Sequence, residues 1–269
     1  MKTFKANSWF WDSYAHCYDG LLGTVPYQRL LRRAIDCVPV GAGTLLDAGC
    51  GTGNLLASVR RRRRDIDLHG IDFSEAMLRR ARAKLSEAQF LPGDLNAALP
   101  YPDGSFDVVT CINVLYAVAR PERTLAELRR VLKPGGTLIL SSPSARPRMG
   151  AFIREHAAAV VGWVRTLPLL LRLALLVAFN VVIFRRGDAG QYHFLDKQAV
   201  QKLLACNPVT EAYASQNWFA CTIKELTHEA TAKPRSSRGN EAQIPNRSER
   251  PNVGCYPFET ASHLTQLTT

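Results

Sequence analysis

Short apolar runs alternate with amphipathic stretches across residues 44–143 of this 269-residue chain. The runs have the length and composition of buried strands, and the stretches between them repeat their apolar residues at helical spacing. The apolar runs are 44–46, 66–71, 90–91, 106–111 and 137–140. Strands that alternate with helices form a parallel sheet covered by helices on both faces. The pattern therefore predicts an α/β fold with a doubly wound sheet.

Two helices in this region carry clear end signals. Ser74 precedes the predicted helix Glu75–Lys84, which begins with an acidic residue and ends with basic ones. A serine at that position caps the first turn, and the charges suit the helix dipole. Pro121 begins a second helix, which the proline and glycines of Lys133–Gly136 are expected to end.

Residues 1–43 form a predicted helical segment that carries a cluster of aromatic side chains. The cluster consists of Trp9, Phe10, Trp11, Tyr14 and Tyr18. Such rings pack a helix onto the main domain. They also suit a lid over a ligand site, and the sequence leaves both interpretations open.

Residues 144–190 add a helical, apolar insertion to the α/β pattern. Within it, Leu167–Phe184 is almost wholly apolar and is interrupted by Arg172 and Asn180. This run is long enough to reach across the hydrocarbon layer of a bilayer.

Two features argue against a membrane span. The spacing of Arg154, Arg165 and Arg172 places them on one helical face, opposite a wide apolar face. The strands at 137–140 and about 218–224 should also belong to one sheet, which a crossing would divide. The insertion is therefore expected to cap a ligand site or to lie in the membrane interface, with a span as the remaining alternative.

The rest of the chain is predicted to complete the sheet and then to lose order. Residues 191–227 contain a predicted sheet-covering helix at 196–205 and two short strands. Residues 228–269 lack hydrophobic periodicity and are rich in Ser, Thr, Asn, Pro and Arg. This composition predicts a disordered tail.

The chain carries a formal net charge of +11, which favours an anionic partner such as nucleic acid, an acidic membrane or a phosphorylated substrate. Much of this charge is local, because Arg60–Arg64 is an unbroken arginine run at the end of a predicted helix. A solvated helix end and an anionic contact both explain the run.

The cysteines and the N-terminus indicate a reducing compartment. The seven cysteines lack C-x-x-C spacing, which indicates neither a disulfide framework nor a zinc site. Residues 1–11 lack the apolar centre of a secretory signal. We therefore expect a cytoplasmic protein without a bound metal.

The stretch Leu45–Gly53 carries the chemistry of the chain. It reads LLDAGCGTG, an apolar strand that enters a turn with glycines at 49, 51 and 53, and a helix begins at Asn54. Glycines let the backbone bend sharply and approach a ligand closely. The spacing does not fit the G-x-G-x-x-G pattern of dinucleotide-binding turns, so a nicotinamide or flavin cofactor is disfavoured.

Polar residues at other predicted strand ends support a site beside this turn. Asp72 follows the second strand, where an acidic group typically accepts hydrogen bonds from ribose hydroxyls. Asp94 and Asn113 follow the third and fourth strands, and Asp47 lies at the end of the first. Since ligands in such sheets bind at the carboxyl ends of the strands, these residues are expected to meet.

Four stretches match, in order, motifs of one enzyme family: DAGCGTG, GIDFSEAML, LPGDLNAALPYPDGSFDVVTCINVL and ELRRVLKPGGTLILSSP. On these motifs the chain resembles the class I S-adenosylmethionine-dependent methyltransferases, in the broad group that includes quinone-biosynthesis, sterol and natural-product enzymes. The likeness covers roughly residues 14–143 and continues more weakly to about 226. It implies S-adenosylmethionine as cofactor, bound by a Rossmann-like core at 44–143 whose seven-stranded sheet is mostly parallel, with the last strand antiparallel.

The resemblance assigns one group of residues to the methionine and ribose parts of the cofactor. Gly49, Gly51 and Gly53 should face these parts, and Asp47 should fix the turn or the amino group. Asn113 should present its carbonyl region to the methionine end.

A second group is assigned to the adenosine part. Asp72 should accept hydrogen bonds from the ribose hydroxyls, and Phe73 and Met77 should pack on the adenine. Asp94 should accept from the adenine amine, with Leu95 beside the ring. Asp94 is alternatively a turn or cap residue.

A catalytic base is harder to identify. Relatives often carry a histidine after the position of Asn113, whereas this chain has Tyr116 and Ala117 there. The remaining candidates to orient or deprotonate an acceptor are Tyr14, Tyr18, Tyr116 and His193.

The favoured hypothesis is a methyltransferase for a small apolar acceptor, such as a quinone, terpenoid, polyketide or lipid. An anionic membrane surface, contacted through residues 144–186 at the cytoplasmic face, is a further expected partner. The alternatives are methylation of RNA or protein, with nucleic acid the less expected because no amino-methylating motif occurs, and cofactor binding without catalysis. The chain is expected to be a monomer or a homodimer.

Overall fold

The structure is a computed structural model that describes residues 8–143, 149–159, 163–194, 198–199, 201, 210–212 and 217–223. These residues lie within one compact unit, Met1–Thr227. The predicted tail at 228–269 and most of the predicted helix at 196–205 lie outside the described residues.

The described strands form a single seven-stranded sheet. They are β1 (Thr44–Ala48), β2 (Asp67–Asp72), β3 (Gln89–Pro92), β4 (Phe106–Ile112), β5 (Leu132–Pro143), β6 (Thr210–Ala212) and β7 (Asn217–Ile223). Their spatial order is β3-β2-β1-β4-β5-β7-β6. Strands β1 to β5 pair in parallel, and β7 runs antiparallel to both β5 and β6. The α/β fold with an antiparallel last strand is therefore as predicted.

The strand order reverses beside β1, which lies between β2 and β4. Successive strands are added on one side of β1 and then on the other, which leaves a crevice at the carboxyl ends of the strands. The glycine turn follows β1 and therefore lies at this crevice.

The described helices cover both faces of the sheet. They are α1 (Ser8–Tyr18), α2 (Val25–Asp36), α3 (Asn54–Arg62), α4 (Glu75–Lys84), α5 (Pro121–Val131), α6 (Met149–Ala159) and α7 (Trp163–Asp188), with short 3-10 helices at Asp19–Gly23 and Leu115–Ala117. Neighbouring strand residues enter opposite cores, because side chains alternate along a strand. Thus Leu45 joins one buried cluster and Leu46 the other, and both are fully buried.

The predicted helix ends are found at α4 and α5, but not at the start of β5. The Ser74 hydroxyl accepts a 3.2 Å hydrogen bond from the Met77 backbone N–H and caps α4, and α5 begins at Pro121. Strand β5 begins at Leu132, so the residues predicted as a separating turn belong to the strand. The pairing of β4 with β5 is irregular between Phe106 and Val108, and such a bulge accommodates the proline and glycines.

The apolar insertion consists of two described helices, α6 and α7. The prediction of one basic stripe is therefore wrong in part, because Arg154 lies on α6 whereas Arg165 and Arg172 lie on α7. Periodicity alone could not show where one helix ends and the next begins. Among the described residues, no helix combines the length and the apolarity that a membrane crossing requires.

The N-terminal segment packs along the same side of the domain as the insertion. Helix α1 contacts α4 and α7, and α2 contacts α3 and α6. The 3-10 helix Asp19–Gly23 also contacts α7. The elements at 8–36 thus link the apolar insertion to the helices that follow the glycine turn.

Candidate functional site

The glycine turn has backbone angles that residues other than glycine rarely adopt. Gly49, Gly51 and Gly53 have φ angles of 78°, 53° and 74°, in the left-handed region that favours glycine. A Cβ on Gly49 would overlap the side chain of Val114. The Gly49 N–H donates a 2.7 Å hydrogen bond to the carbonyl of Ile71, which ties the turn to the end of β2.

A small open position lies at the centre of the turn. A Cβ built on Gly51 would lie 3.7 Å from Cε1 of Tyr18 and 3.9 Å from Sδ of Met77. A side chain at position 51 would therefore contact both of these groups. The structure brings together three of the predicted site residues at this point.

Asp72 braces the turn from the end of β2. One carboxylate oxygen accepts a 2.9 Å hydrogen bond from the Gly51 N–H, and the other accepts a 2.9 Å hydrogen bond from the Ser74 N–H. Burial raises the pKa of Asp72 to about 6, although the backbone hydrogen bonds act in the opposite direction. A carboxylate has about four lone-pair sites, so these two bonds leave capacity to accept from ribose hydroxyls.

Asp47 lies beneath the turn at the end of β1 and is 3% exposed. Its carboxylate accepts a 2.7 Å hydrogen bond from the Thr110 hydroxyl on β4. Burial raises the pKa of Asp47 to about 7; the Thr110 bond opposes this rise and the charge of Asp72 adds to it. A cation beside this carboxylate would favour its charged form, and the ammonium of an amino-acid moiety is one such cation.

Asn113 directly follows β4. Its φ of 60° makes it the one non-glycine with positive φ among the described residues, a conformation that asparagine tolerates better than most residues. Its N–H donates a 2.7 Å hydrogen bond to the Ser141 carbonyl. The next residue, Val114, is the one that Gly49 accommodates, so the segment that follows β4 lies against the glycine turn.

The ring of Trp11 lies beside the residues predicted to bind adenine, although the sequence did not assign it to that site. Phe73 is half-buried, and its ring lies edge-on to that of Trp11, with 6.4 Å between the centroids. Met77 is buried beside the turn. Trp11 was predicted only as part of the N-terminal aromatic cluster, so its place beside Phe73 depends on the packing of α1 against α4.

Asp94 and Leu95 have local roles in the structure. Asp94 is exposed, and its Oδ1 accepts hydrogen bonds of 2.9 and 2.7 Å from the backbone and side chain of Asn96. Leu95 is buried in the core. The Asn96 bonds agree with the alternative of a turn residue for Asp94, and adenine recognition by this pair stays a prediction.

A polar network that sequence reasoning missed joins the N-terminal segment to the turn. Asp19 accepts a 2.6 Å hydrogen bond from the Thr52 hydroxyl and a 2.9 Å bond from Lys84 Nζ. Lys84 Nζ also donates to Asn54 Oδ1 at 2.6 Å. Burial alone would raise the pKa of Asp19, but the bonds from Thr52 and Lys84 hold it below its usual value. Thr52 and Asn54 lie within the recognised motif, and nothing in the sequence marked Asp19 as their partner.

A second contact fixes α1 on α4. Asp12 accepts a 2.6 Å hydrogen bond from the Ser74 hydroxyl and a 3.3 Å bond from the Ala76 N–H. A carboxylate at a helix N-terminus is favourably placed for both hydrogen bonding and the helix dipole. The N-terminal segment is thus attached at both ends of α4, since Lys84 is the last residue of that helix.

Aromatic rings connect the turn to α7. The Tyr14 and Tyr18 rings lie edge-on with centroids 5.4 Å apart, and the Tyr14 ring lies 5.2 Å from that of Phe179. The Asn180 amide donates a 3.2 Å hydrogen bond to the Tyr14 hydroxyl. This bond explains the polar interruption of the apolar run at Asn180.

Tyr116 and His193 meet through the backbone. The Tyr116 ring stacks on Phe194 with a centroid separation of 5.2 Å, and the Tyr116 carbonyl accepts a 2.7 Å hydrogen bond from the His193 N–H. Tyr116 is buried, whereas His193 is exposed. The structure therefore places the Tyr116 side chain in the interior and His193 at the surface, and a base role for His193 stays a prediction.

The buried tyrosines are held in their protonated form. Burial raises the pKa of Tyr14, of Tyr18 and of Tyr116 above the ordinary value for a phenol. At neutral pH these hydroxyls are poorly suited to remove a proton, and that of Tyr18 is hydrogen-bonded to Tyr27. Within the described residues, no group of three or more His, Cys, Asp or Glu could hold a metal ion.

Comparison with known proteins identifies the central region. Residues 46–140 match the family model described as a methyltransferase domain. A demethylmenaquinone methyltransferase of Thermus thermophilus is 39% identical over 129 residues, which cover 46% of this chain and 58% of the relative. A phosphatidylethanolamine N-methyltransferase of Cereibacter sphaeroides is 33% identical over 155 residues, which cover 54% of this chain and 74% of the relative.

The match to the quinone enzymes is partial. A demethylmenaquinone methyltransferase of Deinococcus radiodurans is 35% identical over 162 residues, which cover 58% of this chain and 60% of the relative. The chain thus spans between half and two thirds of the length of the first curated relatives that it matches.

The fold also has a counterpart among solved structures. A crystal structure from Thermotoga maritima, titled a SAM-dependent methyltransferase and possible histamine N-methyltransferase, is 20% identical with a TM-score of 0.51, and the match covers 73% of this chain and 78% of that one. At this level of identity the likeness concerns the fold.

Proposed function

The chain belongs to the class I S-adenosylmethionine-dependent methyltransferases, and from this premise we propose that it methylates a small apolar acceptor, of quinone, terpenoid, polyketide or lipid-like chemistry. When bound, S-adenosylmethionine supplies an electrophilic methyl group, so the protein needs to hold and orient the reactants and exclude water. The acceptor class rests on the aromatic walls beside the glycine turn.

The residues around the turn fit the cofactor. Asp72 offers a buried acceptor for ribose hydroxyls, and Asp47 offers a buried carboxylate for an ammonium group. Gly51 leaves room between Tyr18 and Met77 that a Cβ would fill. These three observations support binding of a nucleoside that carries an amino-acid moiety.

The single observation that carries the acceptor class is the aromatic surface next to Gly51. Tyr18 lies beside the turn, Tyr14 lies edge-on to Tyr18, and Phe179 of α7 packs against Tyr14. Aromatic rings favour an apolar ligand, and a phenol can add one orienting hydrogen bond. The demethylmenaquinone and phosphatidylethanolamine enzymes are relatives whose names specify a quinone and a lipid, which supports the same class.

The protonation state of the buried tyrosines limits further which acceptors can react. Tyr14, Tyr18 and Tyr116 are poorly suited to deprotonate an acceptor, because burial raises the pKa of each. The Tyr14 and Tyr116 hydroxyls can instead donate a hydrogen bond to it. An acceptor that carries its own ionisable hydroxyl, as a hydroquinone ring does, can provide a nucleophilic oxygen or carbon without a strong protein base.

Methylation of RNA receives less support from the structure. Residues of the arginine run at 60–64 form ion pairs. A guanidinium nitrogen of Arg62 lies 2.7 Å from a carboxylate oxygen of Asp36, and one of Arg63 lies 2.7 Å from a carboxylate oxygen of Asp65. Part of the positive charge that motivated this alternative is therefore balanced within the protein.

The test is methyl transfer from labelled S-adenosylmethionine to defined acceptors. The purified chain is incubated with a reduced naphthoquinone, phosphatidylethanolamine vesicles or a short RNA, and the products are identified by mass spectrometry. The proposal expects label in the quinone or the lipid and its loss with Asp72→Asn. Asp103→Asn is the matched control, because Asp103 is 82% exposed and pairs with Arg130 at the surface.

Two results would contradict the proposal. If label entered RNA alone, RNA and not a small apolar molecule would be the acceptor. Tight cofactor binding without transfer to any acceptor, including fractions of a host extract, would favour a cofactor-binding protein without catalysis.

A further inference from the structure

Helix α7 exposes an apolar face. In the middle of the helix, Leu175, Val177, Val181 and Val182 are 54%, 36%, 45% and 38% exposed. Ala174, just before them, and Ala178 are exposed as well. A surface helix of a globular protein usually directs polar residues to solvent and apolar ones to the core.

The exposed residues lie on one side of the helix. At 100° per residue, Val177, Val181, Ala174, Ala178, Val182 and Leu175 fall within about 160° of one another. Leu176 and Ile183, on the opposite side, are 5% and 2% exposed. The apolar face is therefore continuous and is separate from the side of the helix that packs on the domain.

Over the described residues 176–183, the buried side of α7 packs within the protein. Phe179 packs against Phe10 and Tyr14, with ring centroids 5.3 and 5.2 Å apart, and Asn180 donates to the Tyr14 hydroxyl. Rotation of the helix to bury the exposed face would break these contacts. The exposed face is thus a fixed feature of the fold.

Positive charge borders this face. Arg185 is exposed at the end of the apolar face, and the Arg186 guanidinium lies 4.4 Å from the centroid of the Phe10 ring. On the adjoining α1, Trp9 is 71% exposed, and tryptophan is a residue that favours the membrane–water interface.

We infer that the exposed face of α7 docks on an anionic membrane surface. An apolar face with arginines at its end matches the acyl and headgroup layers of such a surface, where burial of apolar side chains and attraction to anionic lipids add together. A second copy of the chain would match the apolar residues, but in an isologous contact its own 174–185 face holds no acidic residue to pair with Arg185. The inference does not depend on the acceptor of the methyl group.

The test measures binding of the full chain to vesicles by flotation. Vesicles of phosphatidylcholine with phosphatidylglycerol are compared with vesicles of phosphatidylcholine alone, at low and high salt. The proposal expects binding to the anionic vesicles, weakened at high salt and at least about tenfold weaker for the double variant Val181→Asp/Val182→Asp. Val40→Asp is the matched control, because Val40 is 91% exposed elsewhere on the protein and its substitution should leave binding unchanged.

Cofactor affinity and thermal stability, measured for each variant, separate loss of docking from loss of folding. Since both substituted valines face solvent, both properties should match those of the unmodified chain. Equal vesicle binding by the double variant and the unmodified chain would overturn the inference. So would a dimer in sedimentation analysis that dissociates in the double variant while vesicles are not bound, because the face would then belong to a second copy.

Discussion

Thr52 donates a 2.6 Å hydrogen bond to Asp19 and so joins the glycine turn to the N-terminal segment. The same carboxylate accepts from Lys84 at the end of α4. The Asp19 side chain thus connects the glycine turn, the N-terminal segment and α4. A ligand that occupies the turn is held by elements that this carboxylate keeps together.

Asp19→Ala is therefore expected to weaken S-adenosylmethionine binding by about tenfold, in line with the loss of charged hydrogen bonds worth ~1.5–3 kcal/mol. The measurement is titration calorimetry at neutral pH. Asp36→Ala serves as the matched control, because Asp36 is exposed and pairs with Arg62 at the surface. Unchanged affinity in Asp19→Ala would separate this network from the cofactor site.

Cofactor affinity should depend on pH through Asp72, whose pKa burial raises to about 6. Hydroxyl donors bind the ionised carboxylate better than the protonated one, so affinity should be highest above about pH 7 and fall as the pH drops below about 6, by up to about tenfold per pH unit. Calorimetry from pH 5 to 8 checks this. Asp72→Asn should bind weakly with a flatter profile, and an equally steep profile in that variant would place the titrating group elsewhere.

The stability of the cofactor-free protein should decrease as the pH rises from about 4 to about 7 through Asp47 and Asp72. Both carboxyls have a folded-state pKa raised by burial, to about 7 and about 6, so the folded state keeps protons that the unfolded chain has already lost. The stability that these two carboxyls contribute is fully present below about pH 4. It is lost as the pH rises above their folded-state pKa values. Denaturant unfolding across this range measures it, and Asp47→Asn should reduce the decrease.

Gly49→Ala should destabilise the protein by about 2–4 kcal/mol, because the residue has a left-handed backbone and its Cβ would overlap Val114. Gly41→Ala is the control, since a Cβ at Gly41 has no neighbouring atom within 4 Å. Thermal unfolding of the two variants gives the comparison. A change in Gly49→Ala no larger than in the control would exclude a steric role for this glycine.

Cys37 should react with thiol reagents faster than Cys50. A hydrogen bond from Cys221 lowers the pKa of Cys37, and Cys37 is half-buried, whereas burial raises the pKa of Cys50 well above the usual value. Reaction with a maleimide at pH 7, followed by peptide mapping, should label Cys37 first. Cys221→Ala, which removes the donor, should slow this labelling, and faster labelling of Cys50 would contradict the structure of the turn.

Much of the fold could be predicted from local pattern. The helix Glu75–Lys84 has the predicted bounds and its serine cap, because capping depends on residues within one turn. The start of β5 at Leu132 was missed, because proline and glycine usually end a helix with a turn, whereas here pairing with β4 extends the strand through them. The split between α6 and α7 was also missed, because hydrophobic periodicity runs through both helices.

The sequence by itself determined the order of strands and helices, the glycine turn and the acidic residues at the strand ends. These features depend on neighbouring residues, through side-chain periodicity, backbone freedom at glycine and the direction of parallel strands. Only the tertiary structure decided that Asp19 and Lys84 meet at the turn, that Tyr18 lies beside Gly51, and that α7 turns an apolar face outward. These contacts join segments far apart in the chain, and their geometry follows from how the helices pack on the sheet and on one another, which local patterns do not specify.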